Sequence, residues 1–221
     1  ALTDPYVPIE EELQITRRCL NQIERFDFGL AIQTKSNLIM RDIDILDKIN
    51  RKTKCVVGIT MTTYDEELCK KLEPNVCTTK ERFSVLLALK ERGIPTIVWM
   101  NPILPFINDD MDNVKGIMKY CIDAGVYGIM NDGMSLTLRP GSREHYYEQL
   151  DRLFPGMKER YIETYGEAYE LASPNKDELM SYFRKTCDEN NIVHDREELL
   201  RFMREYKNKT LGTQMTIYDY I

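Results

Sequence analysis

The sequence lacks closely spaced cysteines and has only two histidines, His145 and His194. No two of its six cysteines lie within three positions of each other, so there is no C-x-x-C motif for zinc or thiol redox chemistry. We therefore expect no metal ligands in this chain. Scattered thiols are typical of the reducing cytoplasm, where we expect the protein to be located. The cysteines are Cys19, Cys55, Cys69, Cys77, Cys121 and Cys187.

Long apolar runs and an excess of basic residues are also missing. No stretch of about 18 apolar residues occurs, so no membrane-spanning helix is expected, and the first residues lack the pattern of a signal peptide. Acidic residues number 36 and basic residues 30, which gives a formal net charge of -6. An acidic net charge does not support a large surface that binds the phosphate backbone of nucleic acid. It leaves open that a smaller basic patch binds nucleic acid.

Apolar segments alternate with amphipathic ones in the first part of the chain. Nearly continuous apolar strands separated by helices predict an α/β fold, with a parallel sheet covered by helices. From residue 141 the pattern is helical, with an extended tail at 212–221, so we expect an α/β region at 1–140 and a helical extension at 141–221. The predicted strands are 28–34, 55–61, 95–101 and 126–130, and the predicted helices before residue 141 are 9–25, 41–51, 65–72, 79–92 and 110–124.

Polar side chains follow the predicted strands, where chemistry gathers in parallel α/β folds. As a set they suit a small zwitterion, with Lys35 and hydroxyls facing a carboxylate and Asp4 facing an ammonium group. The polar positions are Thr3, Asp4 and Tyr6, then Thr34, Lys35 and Ser36, then Thr60, Thr62, Thr63 and Asp65, then Asn101, and finally Asn131 and Asp132.

Some of these side chains are also typical helix caps. Thr63 or Asp65 fits a cap before EELCKKL, and Asp109 and Asp110 fit caps before MDNVKGIM. Lys35 is not a capping residue type, and its place directly after an apolar strand favours a functional role.

Four segments occur in order at successive predicted strand ends: TDPYVPIE, IQTKSNLIMRDIDIL, ITMTTYDEEL with LEPN, and PILPFIND. Together they resemble radical S-adenosylmethionine (radical SAM) proteins, and within them the spore photoproduct lyase-like branch of DNA repair photolyase-like proteins. The resemblance implies a partial (β/α) barrel of the TIM type, a [4Fe-4S] cluster on a C-x3-C-x2-C segment, and S-adenosylmethionine as cofactor. It also implies reductive cleavage of that cofactor to a 5'-deoxyadenosyl radical, which abstracts hydrogen from a substrate that the sequence does not name.

The resemblance also implies where the cofactor binds, although it assigns no catalytic residue. Thr3 and Asp4 match positions near the amino group of S-adenosylmethionine, and Lys35 matches a lysine that meets its carboxylate. A further hydroxyl position matches Thr60, with Thr62 as a competing alignment. The implied cofactor-binding residues are thus Thr3, Asp4, Lys35, Thr60 and Asn101, the last near the adenine or ribose.

Two departures from the family change the expectation. The C-x3-C-x2-C segment is absent, so we expect the radical SAM core to be truncated at its N-terminus and this chain to be inactive by itself. The lyases carry a hydrogen-donating cysteine where this chain has Ala1, so their repair reaction is not expected. Loss of a first strand leaves an unpaired sheet edge, which predicts a homodimer through that edge.

Two other classes of function stay open. One is a barrel lyase that forms a Schiff base through Lys35, because a strand-end lysine can attack a carbonyl group. The other is a binding module without catalytic activity.

Overall fold

The computed structural model describes residues 3–206, so the predictions for Ala1 and for the tail at 212–221 lie outside the described residues. The main sheet has four parallel strands in the order β1-β2-β3-β4, which confirms the predicted α/β fold and is consistent with part of a (β/α) barrel. The strands are β1 Leu30–Thr34, β2 Cys55–Thr60, β3 Thr96–Trp99 and β4 Gly128–Met130.

Helices connect the strands and continue after the sheet. Those before β4 are α1 Glu10–Leu13, α2 Ile15–Arg25, α3 Ile43–Lys52, α4 Glu66–Leu72, α5 Thr79–Glu91 and α6 Met111–Ala124, and a 3-10 turn at Asn37–Asp42 precedes α3. Those after it are α7 Ser142–Leu153, α8 Met157–Tyr165, α9 Lys176–Glu189 and α10 Arg196–Arg204. No helix within residues 3–206 is long and apolar enough to cross a membrane.

The central strand β2 is buried along its whole length because both faces of the sheet are covered. Cys55, Val57 and Ile59 pack into the main core beneath the helices. Val56 instead belongs to a second apolar cluster with Leu199 of α10. We call the second side, which carries Val56, Gly58 and Thr60, the inner face of the sheet. Helix α10 packs against part of this face through Leu199.

The predicted helix at 9–25 is wrong at Gln14, where the backbone turns left-handed (φ 49°) and separates α1 from α2. The cause is a tertiary contact of Glu10. Its carboxylate accepts hydrogen bonds from the backbone N–H groups of Ile15 (2.9 Å) and Thr16 (3.0 Å) and pairs with Arg41. Burial tends to raise the pKa of Glu10, but Arg41 and these N–H groups outweigh it and hold the pKa below its usual value.

The region after residue 141 contains the predicted helices and also one strand that the pattern did not predict. A short antiparallel ribbon joins β5 (Ser135–Thr137) to β6 (Glu170–Ala172), one strand on each side of the boundary expected at residue 140. Helix α9 packs Leu179 and Phe183 into the main core. The division of the chain at residue 140 therefore stays a prediction.

The sheet gains one more parallel contact beyond β4. The backbone N–H of Ile129 donates to the carbonyl of Val193 (2.8 Å), and the N–H of Val193 donates to the carbonyl of Tyr127 (3.0 Å). Gly128 makes this approach possible, because a Cβ there would lie 2.6 Å from the backbone oxygen of Val193.

Candidate functional site

The carboxyl ends of the four strands lie along one edge of the sheet, because all four run parallel. Thr34, Thr60 and Trp99 end β1, β2 and β3. The loops after these residues carry most of the polar positions singled out in the sequence, and the structure brings these loops together.

Asp4 holds the TDPY segment against the end of β1. Its Oδ1 accepts hydrogen bonds from Thr34 Oγ1 (2.6 Å) and from the N–H of Tyr6 (2.8 Å). Its Oδ2 accepts from the N–H of Lys35 (2.7 Å). Asp4 therefore shapes the loop itself, while Thr3 beside it is exposed.

Lys35 faces a carboxylate that belongs to the protein. Its Nζ pairs with Oε1 of Glu73, in the LEPN segment. The other oxygen of Glu73 accepts from Arg82 Nη2 (2.7 Å), and Arg82 is fully buried. Burial tends to raise the pKa of Glu73, but Arg82 and Lys35 outweigh it and hold the pKa below its usual value. The ion pairs thus keep Glu73 ionised and fix the Lys35 ammonium group.

Arg82 also ties this ion-pair group to the sheet. Its Nη1 donates to the carbonyl of Thr60 (2.9 Å), and its Nε donates to the carbonyl of Cys77 (3.0 Å). A buried guanidinium group with three such partners is a rigid support for the loop over the strand ends. Nothing in the sequence distinguishes Arg82, since arginine on a predicted helix is typical of an exposed residue.

Thr60 lies on the inner face, where its hydroxyl accepts from Gln33 Nε2 (3.2 Å). Close by, Gly58 leaves room for the ring of Trp99, whose nearest carbon would lie 2.5 Å from a Cβ at position 58. The competing residue Thr62 lines a cavity instead. The two residues proposed for the cofactor carboxylate therefore have different surroundings: Thr60 contacts Gln33, and Thr62 faces the cavity.

Asn101 follows β3, and only one of the two polar atoms of its side-chain amide has a hydrogen-bond partner among residues 3–206. Its Oδ1 accepts from the N–H of Asp132 (3.3 Å). Its Nδ2 is buried, and no residue within 3–206 accepts a hydrogen bond from it. Because an unpaired buried donor costs about 1–3 kcal/mol, this atom is a natural partner for a ligand oxygen.

A cavity of about 610 Å³ opens beside these strand ends. Lys35, Thr62 and Glu73 line one side of it, and α7 forms the opposite wall with His145 and Tyr146 among its residues. Sequence reasoning missed this wall, since nothing in the helical pattern of α7 indicates which face meets a loop more than 60 residues earlier.

Two of the predicted helix caps, Asp65 and Asp110, are confirmed. Asp65 accepts from the N–H of Leu68 (2.6 Å) at the start of α4, and Asp110 accepts from the N–H of Asn113 (2.8 Å) at the start of α6. Asp109 is different, because its carboxylate accepts from the hydroxyl of Ser173 (2.6 Å). Burial raises the pKa of Asp109 above its usual value.

No group of three histidine, cysteine, aspartate or glutamate side chains suited to a metal ion occurs within residues 3–206. Cys55, Cys69, Cys121 and Cys187 are buried free thiols. Burial raises the pKa of the Cys55 thiol to about 12, which keeps it in the neutral form that does not bind metals.

No family model matches the sequence. An uncharacterized protein of Methanocaldococcus jannaschii is 28% identical over 183 residues, which cover 82% of this chain and 61% of that protein. An uncharacterized protein of Mycobacterium tuberculosis is 25% identical over 163 residues, which cover 74% of this chain and 47% of that protein. The chain thus spans about half to three fifths of the length of these relatives.

Two solved structures show a partial likeness. Streptococcus suis SuiB bound to S-adenosylmethionine matches with a TM-score of 0.39 and 14% identity, over 51% of this chain and 25% of SuiB. A domain of pyruvate-formate lyase-activating enzyme from Bacteroides vulgatus matches with a TM-score of 0.48 and 11% identity, over 69% of this chain and 93% of that domain. Both scores are too low to carry a conclusion about the activity of this chain.

Proposed function

We propose that this chain is part of a radical SAM protein and that its strand ends hold S-adenosylmethionine. The observation that carries the proposal is the convergence of the four resembling segments on one edge of the parallel sheet. There, Asp4 joins the first segment to the second through hydrogen bonds to Thr34 and Lys35.

The residues present offer suitable partners for S-adenosylmethionine. Asn101 has a buried amide donor without a protein acceptor, which suits an oxygen of the ribose or an acceptor of the adenine. The Lys35 ammonium group has three N–H donors, so it can bind a carboxylate of the cofactor while it keeps its bond to Glu73. Asp4 retains acceptor capacity for an ammonium group in addition to its three protein hydrogen bonds.

The residues of this chain do not suit the iron–sulfur cluster that the resemblance implies. The donor set of residues 3–206 does not fit a [4Fe-4S] cluster, and none of the six cysteines has the C-x3-C-x2-C spacing. We therefore assign no step of the reaction to a cluster on this chain, and we expect the 221-residue chain alone to form no 5'-deoxyadenosine. S-adenosylmethionine supplies a 5'-deoxyadenosyl radical when its sulfonium group is reductively cleaved. The part of this chain is to bind and orient the cofactor.

The same segments favour the spore photoproduct lyase-like branch. Because Ala1 occupies the position of the hydrogen-donating cysteine, the proposal does not extend to repair of a thymine photoproduct. The substrate is left open.

The test uses the complete reading frame that encodes this chain. The protein is purified without oxygen, reconstituted with iron and sulfide, reduced with dithionite and incubated with S-adenosylmethionine. We expect 5'-deoxyadenosine, measured by chromatography, and about 10-fold less of it for Lys35→Ala and for Asn101→Ala, since each loses a hydrogen bond to a charged or buried group. Lys48→Ala, an exposed lysine on α3, is the control. Absence of a C-x3-C-x2-C segment from the reading frame, or no 5'-deoxyadenosine from protein with iron–sulfur absorbance, would overturn the proposal.

The Schiff-base alternative is weakened by the ion pair of Lys35. The amine must be free to reach a carbonyl group, and here its Nζ is held against the Glu73 carboxylate. A binding module without catalysis is the remaining alternative. It predicts that the reconstituted protein binds S-adenosylmethionine without cleaving it.

A further inference from the structure

The cavity beside the strand ends has more positive than negative charge. Glu73 is the one acidic side chain among the described residues that line it, and that carboxylate already serves both Lys35 and Arg82. Two further cations, Lys71 and Arg152, line the cavity as well. In a chain with a net charge of -6, this local excess of cations is a specific feature of the cavity.

Lys71 and Arg152 are both exposed, so they lie at the rim of the cavity. Lys71 lies in the last turn of α4 and places its Nζ 4.0 Å from the centre of the Phe154 ring, just after α7. Arg152 lies in the last turn of α7, two positions before Phe154. The two cations therefore come from different helices, α4 and α7, and both line the same cavity.

The wall below this rim is mainly apolar. Leu104 and Ile107 come from the loop after β3, Leu138 follows β5, and Leu150 and Leu153 come from α7. A volume of about 610 Å³ is that of a small-molecule site, and a nucleic-acid duplex is too wide to enter it. An apolar interior with cations at its mouth suits a ligand that has an apolar body and one anionic end.

We propose that this cavity binds a small organic phosphate ester, with its apolar body against the leucines and its phosphate at the rim between Lys71 and Arg152. A phosphate dianion matches two cations better than a single carboxylate does, and the planar guanidinium group of Arg152 can bind two phosphate oxygens at once. Lys35 lines the same cavity and is assigned to S-adenosylmethionine, but neither Lys71 nor Arg152 is, so the phosphate position at the rim is distinct from the position proposed for that cofactor.

The test is calorimetric titration of the 221-residue chain at low salt with 1-naphthyl phosphate, 1-naphthol and inorganic phosphate. We expect 1-naphthyl phosphate to bind at least 10-fold more tightly than either of the other two, since it alone uses both the apolar wall and the rim. Lys71→Ala and Arg152→Ala should each weaken its binding about 5-fold, because exposed cations contribute less than buried ones. Binding of 1-naphthol should not change.

Lys48→Ala on α3 and Arg184→Ala on α9 remove exposed cations far from the cavity and should leave binding unchanged. Equal binding of 1-naphthol and 1-naphthyl phosphate would overturn the proposal, and so would unchanged binding in the Lys71→Ala/Arg152→Ala double variant. Tighter binding of a 12-base-pair DNA duplex that depends on the same two residues would also overturn it, in favour of a nucleic-acid surface. None of these outcomes depends on whether the complete protein cleaves S-adenosylmethionine.

Discussion

Glu73 is the residue on which the arrangement of the site depends most, because its two oxygens are divided between Lys35 and the buried Arg82. Its pKa lies below the usual value of 4.5. A carboxylate with a lowered folded-state pKa adds stability that is fully present above its unfolded pKa and is lost as the pH falls through the folded one. Glu73→Gln should therefore lower the free energy of unfolding by about 2–3 kcal/mol at pH 7, since it leaves Arg82 without a charged partner.

That difference should shrink as the pH falls below about 4.5, where the carboxyl becomes protonated in the unfolded state while the folded state still holds it ionised. It should be lost once the pH passes the lower folded-state pKa, where the folded carboxyl also becomes protonated and resembles glutamine. Urea unfolding followed by circular dichroism at several pH values measures it. Glu67→Gln is the control, because Glu67 and Lys70 form an ion pair that is exposed to solvent and contributes little to stability. A Glu73→Gln difference that stays constant from pH 7 to about pH 3 would show that the charge of Glu73 is not what matters.

Gly58 is the second residue with a clear requirement, because a Cβ there would lie 2.5 Å from Trp99 Cζ3. Gly58→Ala should destabilise the protein by about 1–3 kcal/mol, the usual cost of overpacking. It should also shift the fluorescence of Trp99, which is the single tryptophan of the chain. The smaller ring in Gly58→Ala/Trp99→Phe should recover most of the lost stability. If the double variant is no more stable than Gly58→Ala, contact with the ring is not the cause.

At the scale of elements, the break between α1 and α2 depends on Glu10. Glu10→Ala removes the acceptor for the N–H groups of Ile15 and Thr16, which is the equivalent of losing a helix cap. We expect a loss of about 1–2 kcal/mol in stability and roughly 10-fold faster hydrogen exchange at these two amides. Glu11→Ala, exposed on the same short helix, should change neither. Equal exchange in the two variants would contradict the role given to Glu10.

The same elements show how far the sequence can predict this fold. The strands β1 to β4 can be predicted because a strand buried on both faces is a continuous apolar run. Most helices can be predicted because a helix buried on one face has apolar residues at helical spacing. Gln14 carries no such pattern, since a contact with Glu10 and Arg41 decides the break. The ribbon of β5 and β6 was missed because three residues are too few for a period.

The candidate site was predictable to a similar degree. The strand ends near Asp4, Lys35 and Asn101 could be located from the sequence, because parallel strands place their carboxyl ends at one edge. Their partners could not be located. The pairing of Lys35 with Glu73 and the use of α7 as a cavity wall depend on packing angles that leave no trace in residue type or spacing.

At the scale of the whole molecule, β1 forms an edge of the sheet among the described residues. The N–H of Leu30 donates to the carbonyl of Lys54, just before β2, so in a parallel ladder the N–H groups of Ala31 and Gln33 point to the free side. Asp4 covers the N–H of Lys35 on that side. We predict a homodimer that forms through the uncovered part of this edge.

Ala31→Pro tests that prediction, because it removes an N–H from the free side and leaves the ladder to β2 intact. We expect sedimentation analysis to give a dimer for the wild-type chain and for Ala31→Val, and a monomer for Ala31→Pro, with circular dichroism unchanged. A wild-type monomer at high concentration, or a dimer that persists in Ala31→Pro, would exclude this edge as the interface.

The bridge from Val193 to Ile129 has a consequence for how the protein is made. The ribosome releases the chain from its N-terminus, so β4 emerges well before the residue that covers its outer side. During that interval the outer side of β4 has no partner at Val193, because that residue follows α9 in the chain. Nascent chains that stall between β4 and α9 should therefore be the ones that depend on a chaperone, while chains released past α10 close the sheet on their own.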